Sequence, residues 1–206
     1  YMLGLCFEKG SELPEGHEER KFKGCAFFQG DRVVNQNYEV ALFQDLGSSP
    51  ATLEASRACD AFGCAPGNVT QIADAPAAYV QADLKGTPCW VNLLEEAWPE
   101  DPELRAKFKA IEDAGGKPVV VLKKALYGHP DSGTFWEQHC DEHVRKVGFV
   151  LLGPEWPSCY THPELGLFLI IYVDDFKMSG PADKVKVGWK LIAKALTIVP
   201  PKDINN

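Results

Sequence analysis

No run of the 206 residues is apolar for long enough to cross a bilayer. The longest, Leu165 to Val173, is about half of what a membrane span needs. Basic residues are in the minority, 21 Lys and Arg against 29 Asp and Glu, and the net charge of −8 argues against a general nucleic-acid binder. No CxxC pair occurs, and the seven cysteines (Cys6, Cys25, Cys59, Cys64, Cys89, Cys140, Cys159) are an odd number. That speaks against a closed disulfide framework or a zinc ribbon and points to reduced thiols in an intracellular protein. Internal repeats and low-complexity tracts are absent, and the sequence starts at Tyr1 with no basic-then-apolar signal, so no secretory targeting is expected.

What is present suits one domain, or one and a small part, with 45% apolar residues and enough length to bury a core. The charge is uneven. Residues 1–115 carry a net −9, concentrated in Glu8–Glu19 and Glu95–Asp113, whereas residues 116–206 carry +1. Whole-chain charge therefore says little about any one cleft. Tyr1 ahead of Met2 and a polar end at Asn206 read as a piece of a longer product.

Residues 1–20 read as an exposed N-terminal segment, Glu- and Gly-rich from Glu8. Lys21 to Val34 alternates loosely, with a hairpin turn expected at Gly30-Asp31. Helices are expected over Ala51–Phe62, opened by Ser49-Pro50, rich in Ala and Leu and ending at Gly63; at 102–113 within the charged segment Pro99–Gly115; and over Ser132–Val147 and Pro181–Leu196, from apolar spacings of three and four residues. Strands are expected at Val69–Ala73, Thr87–Leu93, Val119–Leu122, Phe149–Leu152, Cys159–Thr161 and Leu165–Val173. Helices and strands alternate without the regular unit lengths of a doubly wound sheet, which favours α+β.

The feature that points to chemistry is Tyr172-Val173-Asp174-Asp175, an apolar run driving into two adjacent carboxylates. Neighbouring strand residues point to opposite faces, so both acids reach one site only across a tight turn. Such a pair is costly unless solvated, hydrogen-bonded or bound to a cation. An acidic turn between two strands is the plain alternative.

Several blocks in one order resemble the reverse transcriptase domain of copia-type LTR retrotransposons, over roughly residues 20–200. Lys21-Phe22-Lys23-Gly24 with Phe28-Gln29-Gly30 resembles the fingers hairpin, and Phe43 to Pro50 the segment before the first helix. Asp74-Ala75-Pro76-Ala77-Ala78-Tyr79-Val80-Gln81 resembles polymerase motif A, and Leu122 to Gly128, with Trp136 eight residues on, resembles motif B. Tyr172–Asp175 is then motif C. The resemblance implies a fingers and palm architecture, with an antiparallel palm sheet backed by helices and three aspartates on one sheet edge. Residues 201–206 would begin the connection to an absent thumb, with RNase H beyond it and protease and integrase upstream in a Pol polyprotein.

The reaction so implied is RNA-directed DNA polymerisation on a primed RNA or DNA template. Asp74, Asp174 and Asp175 would hold two Mg²⁺, or Mn²⁺ in their place, and Lys23, Tyr79 and Gly128 would meet the incoming dNTP. The implied setting is a cytoplasmic virus-like particle with a nuclear stage, away from membranes. Each residue also has an ordinary reading: Asp74 a strand end or helix cap, Tyr79 core, Lys23 a surface lysine, Gly128 a strand end.

Two departures from the family pattern support a second hypothesis, a degenerate or domesticated non-catalytic palm that binds nucleic acid or a partner. Cys25 stands where a basic residue is usual, and Asp131 where a glutamine is expected near the nucleotide. A third reading comes from His139-Cys140-Asp141-Glu142-His143, which fits the HxxEH pattern of inverted zinc peptidases. Partly packed histidines on the seam of Trp136, Cys140 and Val144 are its alternative.

Overall fold

A computed structural model describes residues 2–35, 37–41 and 49–204. Its elements run β1 (Met2–Lys9), β2 (Lys21–Phe28), α1 (Leu53–Gly63), β3 (Asn68–Asp74), α2 (Ala78–Gln81), β4 (Trp90–Asn92), α3 (Pro102–Asp113) and β5 (Val119–Val121). There follow α4 (Ser132–Lys146), β6 (Val150–Leu151), β7 (Cys159–His162), β8 (Leu167–Tyr172), β9 (Asp175–Pro181), α5 (Ala182–Ala195) and β10 (Lys202–Asp203). All strand pairings are antiparallel, so the expected α+β class is met. The chain divides into two compact units, Tyr1–Gln44 with Leu84–Ser132, and Asp45–Asp83 with Gly133–Asn206.

In the first unit β1 pairs with β2 from Met2↔Phe28 to Lys9↔Lys21. Residues 2–9, read as part of an exposed segment, thus form a strand, although most of their side chains stay exposed. The hairpin turn expected at Gly30-Asp31 is instead a short 3₁₀ turn, and the β1–β2 connection is the loop of residues 10–20. Arg20 closes that loop with a forked pair to Glu8, Nε–Oε1 2.6 Å and Nη2–Oε2 3.2 Å. The other sheet of this unit is β4–β5, and α3 is capped by Asp101, which accepts from Leu104 N–H at 2.9 Å.

The second unit is a six-stranded sheet in the order β10-β3-β9-β8-β7-β6. Cross-strand partners share a face, so the register fixes both sides. Thr70↔Ser179 and Ile72↔Lys177 put Thr70, Ile72, Lys177 and Ser179 on one face with Phe168 and Ile170. Helix α1 covers this face, where Ala51, Ala55, Cys59, Cys159 and Ile170 make a buried cluster. The opposite face carries Leu167, Leu169, Ile171, Phe176 and Met178. Helix α5 covers it through Val185, Trp189 and Ile192, with Gly188 admitting the sheet so closely that a Cβ there would meet Leu167 and Met178. Helix α4 joins this side, where the Tyr160 hydroxyl donates to Asp141 at 3.1 Å. Residues 202–203 pair with β3 as an edge strand.

Candidate functional site

Asp74 is the last residue of β3 and Asp175 the first of β9, and the two are direct partners in the ladder. They therefore share the α1 face at one end of two neighbouring strands. The β8–β9 hairpin pairs Tyr172 with Asp175, leaving Val173 and Asp174 as its two-residue tip. Ala75 N–H donates to the Asp174 carbonyl at 2.8 Å, tying that tip to the end of β3. Residues 100 positions apart in the chain are thereby gathered at one place.

The tip is made by an unfavourable conformation. Val173 takes φ +56°, a region that β-branched residues seldom occupy. The Trp136 indole, 2% exposed, donates its Nε1–H to the Val173 carbonyl at 2.7 Å. This one bond from α4 holds the backbone just before both acids.

Electrostatics mark the same place. Burial pushes the Asp175 carboxyl above its ordinary pKa, and the negative charges of Asp174 and then Asp74 push it further the same way. Lys177, two residues along β9 on the same face, is already engaged: its Nζ lies 2.9 and 3.0 Å from the Asp60 carboxylate and 2.7 Å from Ser56 Oγ. Burial, and then the charge of Asp174, likewise raise the Tyr79 hydroxyl. Tyr79 follows Ala77, which is left-handed at φ 51°, ψ 43°, and opens the single turn α2. Gln81 fixes that turn: its Nε2 donates to Pro76 and Thr197 carbonyls at 3.1 and 3.0 Å, and its Oε1 accepts from Thr197 N–H at 3.0 Å.

A cavity adjoins the hairpin, with Tyr79, Trp136, Glu137, Tyr160, Ile171 and Val173 in its wall. Glu137 Oε2 accepts from Ser49 N–H at 2.7 Å. Sequence reasoning placed Trp136 on an apolar seam and passed over Glu137. The signal for Trp136 was its regular distance from Gly128; nothing in the local sequence marked Glu137.

The other predicted residues lie in the first unit. Lys23 is exposed on β2 opposite Phe7. Gly128 has φ +88°, and a Cβ there would run into the Phe28 carbonyl, so close backbone approach already requires glycine. Cys25 is half-buried on β2, and Asp131 Oδ1 is buried without a hydrogen-bond partner. Of the expected segment Phe43–Pro50, residues 43–48 lie outside the described residues.

Mg²⁺ takes oxygen ligands, keeps several waters and is often held by one or two carboxylates plus substrate phosphates. A set of mutually repelling aspartates at an accessible strand end fits that requirement. Among the described residues no group of three or more His, Cys, Asp or Glu forms a ready-made metal cage. For HxxEH, His139 and His143 do share one side of α4, with ring centroids 4.0 Å apart, but no third ligand completes a zinc-hydrolase centre among the described residues. The chain matches no protein-family profile, no curated protein and no solved structure.

Proposed function

We propose that the second unit is a polymerase palm and that the chain is the fingers and palm of a retrotransposon reverse transcriptase, adding dNTPs to a primer 3′-hydroxyl. The observation that carries this reading is the gathering of Asp74, Asp174 and Asp175 at one strand end, where their charges act on one another. The family resemblance of the blocks containing them agrees with it. The chemistry that two Mg²⁺ ions supply when bound is activation of the primer hydroxyl and charge neutralisation at the leaving pyrophosphate.

The chain's own residues prepare that site. Asp74 and Asp174 present the principal carboxylates, and Asp175 flanks them as a third whose ionised form burial and its acidic neighbours oppose. Trp136 fixes the tip so that the acids need not reorganise on loading. Tyr79 sets an aromatic ring beside Asp174, where it would lie under the incoming sugar and exclude a 2′-hydroxyl by contact. Lys23 would meet triphosphate oxygens as a point charge, and Gly128 would let backbone approach the nucleotide. A primed template, dNTPs and the remaining Pol regions are the partners of this reading, and a cytoplasmic virus-like particle its setting. Among the described residues no helix is long and apolar enough to cross a membrane.

A second reading, a non-catalytic palm that binds nucleic acid or a partner, draws on Cys25 and Asp131. Mn²⁺ titration followed by electron paramagnetic resonance, with a dNTP present, separates the two. On the polymerase reading, Asp74→Asn and Asp174→Asn each weaken Mn²⁺ binding at least about tenfold. Equal binding by the wild type and both variants removes these acids from the metal site and leaves the second reading.

A further inference from the structure

A groove lies between α4 and the end of α5, with Gln81, His139, His143, Lys194, Thr197 and Ile198 in its wall. Neither histidine serves the site described above. Residues three and four apart on a helix stand one above the other, and here the stack has three rings: Trp136 over His139 at 6.0 Å and 27°, then His139 over His143 at 4.0 Å and 34°.

The His143 ring has a defined polarity. Its Nδ1 lies 2.7 Å from the His139 carbonyl oxygen. A carbonyl only accepts, so Nδ1 carries the hydrogen, and in the neutral ring Nε2 holds the lone pair. Donation of one ring N–H to a backbone carbonyl is the arrangement that orients and strengthens histidine metal ligands. The groove's other wall is the last turn of α5 and its exit, Ala193 to Ile198, the negative pole of that helix. Lys194 stands in that wall, exposed on a long stem.

We propose that His139 and His143 form a two-imidazole site for a divalent transition-metal ion of the zinc and nickel class, completed by water. Imidazole selects these ions over Mg²⁺, which takes oxygen ligands. With two protein ligands the site is a binding site and no hydrolase. Its ligands do not include the aspartates, so it stands whether or not the polymerase reading holds. The ring stack gives it a neighbour of consequence: Trp136 both faces His139 and holds the Val173 carbonyl.

The test is calorimetric titration of the chain with Ni²⁺ in excess Mg²⁺, the cysteines first alkylated so that exposed Cys6 and Cys64 do not compete. The expected result is one equivalent bound, with His139→Gln and His143→Gln each weakening it at least about tenfold. Both variants should keep the wild-type circular dichroism, and Asp174→Asn should leave the stoichiometry unchanged. Tryptophan fluorescence gives a second readout that needs no histidine variant: Ni²⁺ should quench the wild type, and Trp136→Phe should remove most of that quenching while still binding the ion. Equal Ni²⁺ uptake by the wild type and the His139→Gln, His143→Gln double variant overturns the proposal. So does a groove that takes inorganic phosphate and no Ni²⁺.

Discussion

Val173 at φ +56° carries a cost of about 1–2 kcal/mol for an L-residue in the left-handed region. That cost is met by its surroundings, above all by the Trp136 indole on its carbonyl. Trp136→Phe keeps an aromatic body but leaves this carbonyl without its donor. It should destabilise the chain by about 1–3 kcal/mol in denaturant titrations and, on the proposed polymerase reading, loosen metal binding at Asp174 as well. Asp175 shows the opposite balance. Its pKa is raised in the folded chain, so its ionised form opposes folding, and stability rises as pH falls through the folded pKa toward the unfolded value of about 3.9. Without metal, Asp175→Asn should therefore melt higher than the wild type at neutral pH, and the gap should close as pH drops toward 4. Thermal melts in chelator across that range measure it. A gap that widens on acidification contradicts the charge assignment. The motif itself was readable as two acids after an apolar run. The strain that turns the chain between them was not, since nothing about valine announces a positive φ.

At the scale of elements, the four long helices were found to within about two residues at each end: α4 and α5 from the regular spacing of their buried faces, α1 from its Ala and Leu content, and α3, which buries no residue, from a charged segment bounded by Pro and Gly. Capping sets the one two-residue offset: Thr52 accepts from Ala55 N–H at 3.2 Å and starts α1 at Leu53, two residues after the expected Ala51. The strands were less legible. β9 alternates Phe176 and Met178 against Lys177 and Ser179, yet Lys177 and Ser179 are themselves held by α1, so both faces are covered and the alternation carries little contrast. β1 was missed because its side chains are mostly exposed, and its strand character comes from pairing with β2. Helix α5 makes the sharpest prediction here. Gly188 lets it lie against Leu167 and Met178. Gly188→Leu should overpack that contact and cost about 1–3 kcal/mol in chemical denaturation. Because β9 begins at Asp175, the metal binding of the proposed function should weaken with it. A variant as stable as the wild type would mean that α5 has room the packing does not suggest.

For the whole molecule, a net charge of −8 first spoke against nucleic acid. The distribution narrows that warning, since residues 116–206, which hold the β8–β9 hairpin, carry +1. Three of the negative charges also stand together at one strand end, where an acid without a counter-ion is costly. The pairing of β3 with β9 could not be read from either strand alone. What the resemblance of the acidic blocks to one family made an expectation was only that the three aspartates share one sheet edge. Backbone phosphate contacts supply most nucleic-acid affinity, and the salt dependence grows with their number, so a chain in which acids outnumber basic residues should hold primer and template weakly, with a shallow dependence on salt. The most direct measurement is therefore primer extension at low salt, with Mg²⁺ and then Mn²⁺, on the wild type and Asp174→Asn side by side. The account predicts metal-dependent incorporation of templated dNTPs by the wild type and none by the variant; equal incorporation by both, or none by the wild type under either metal, would contradict it.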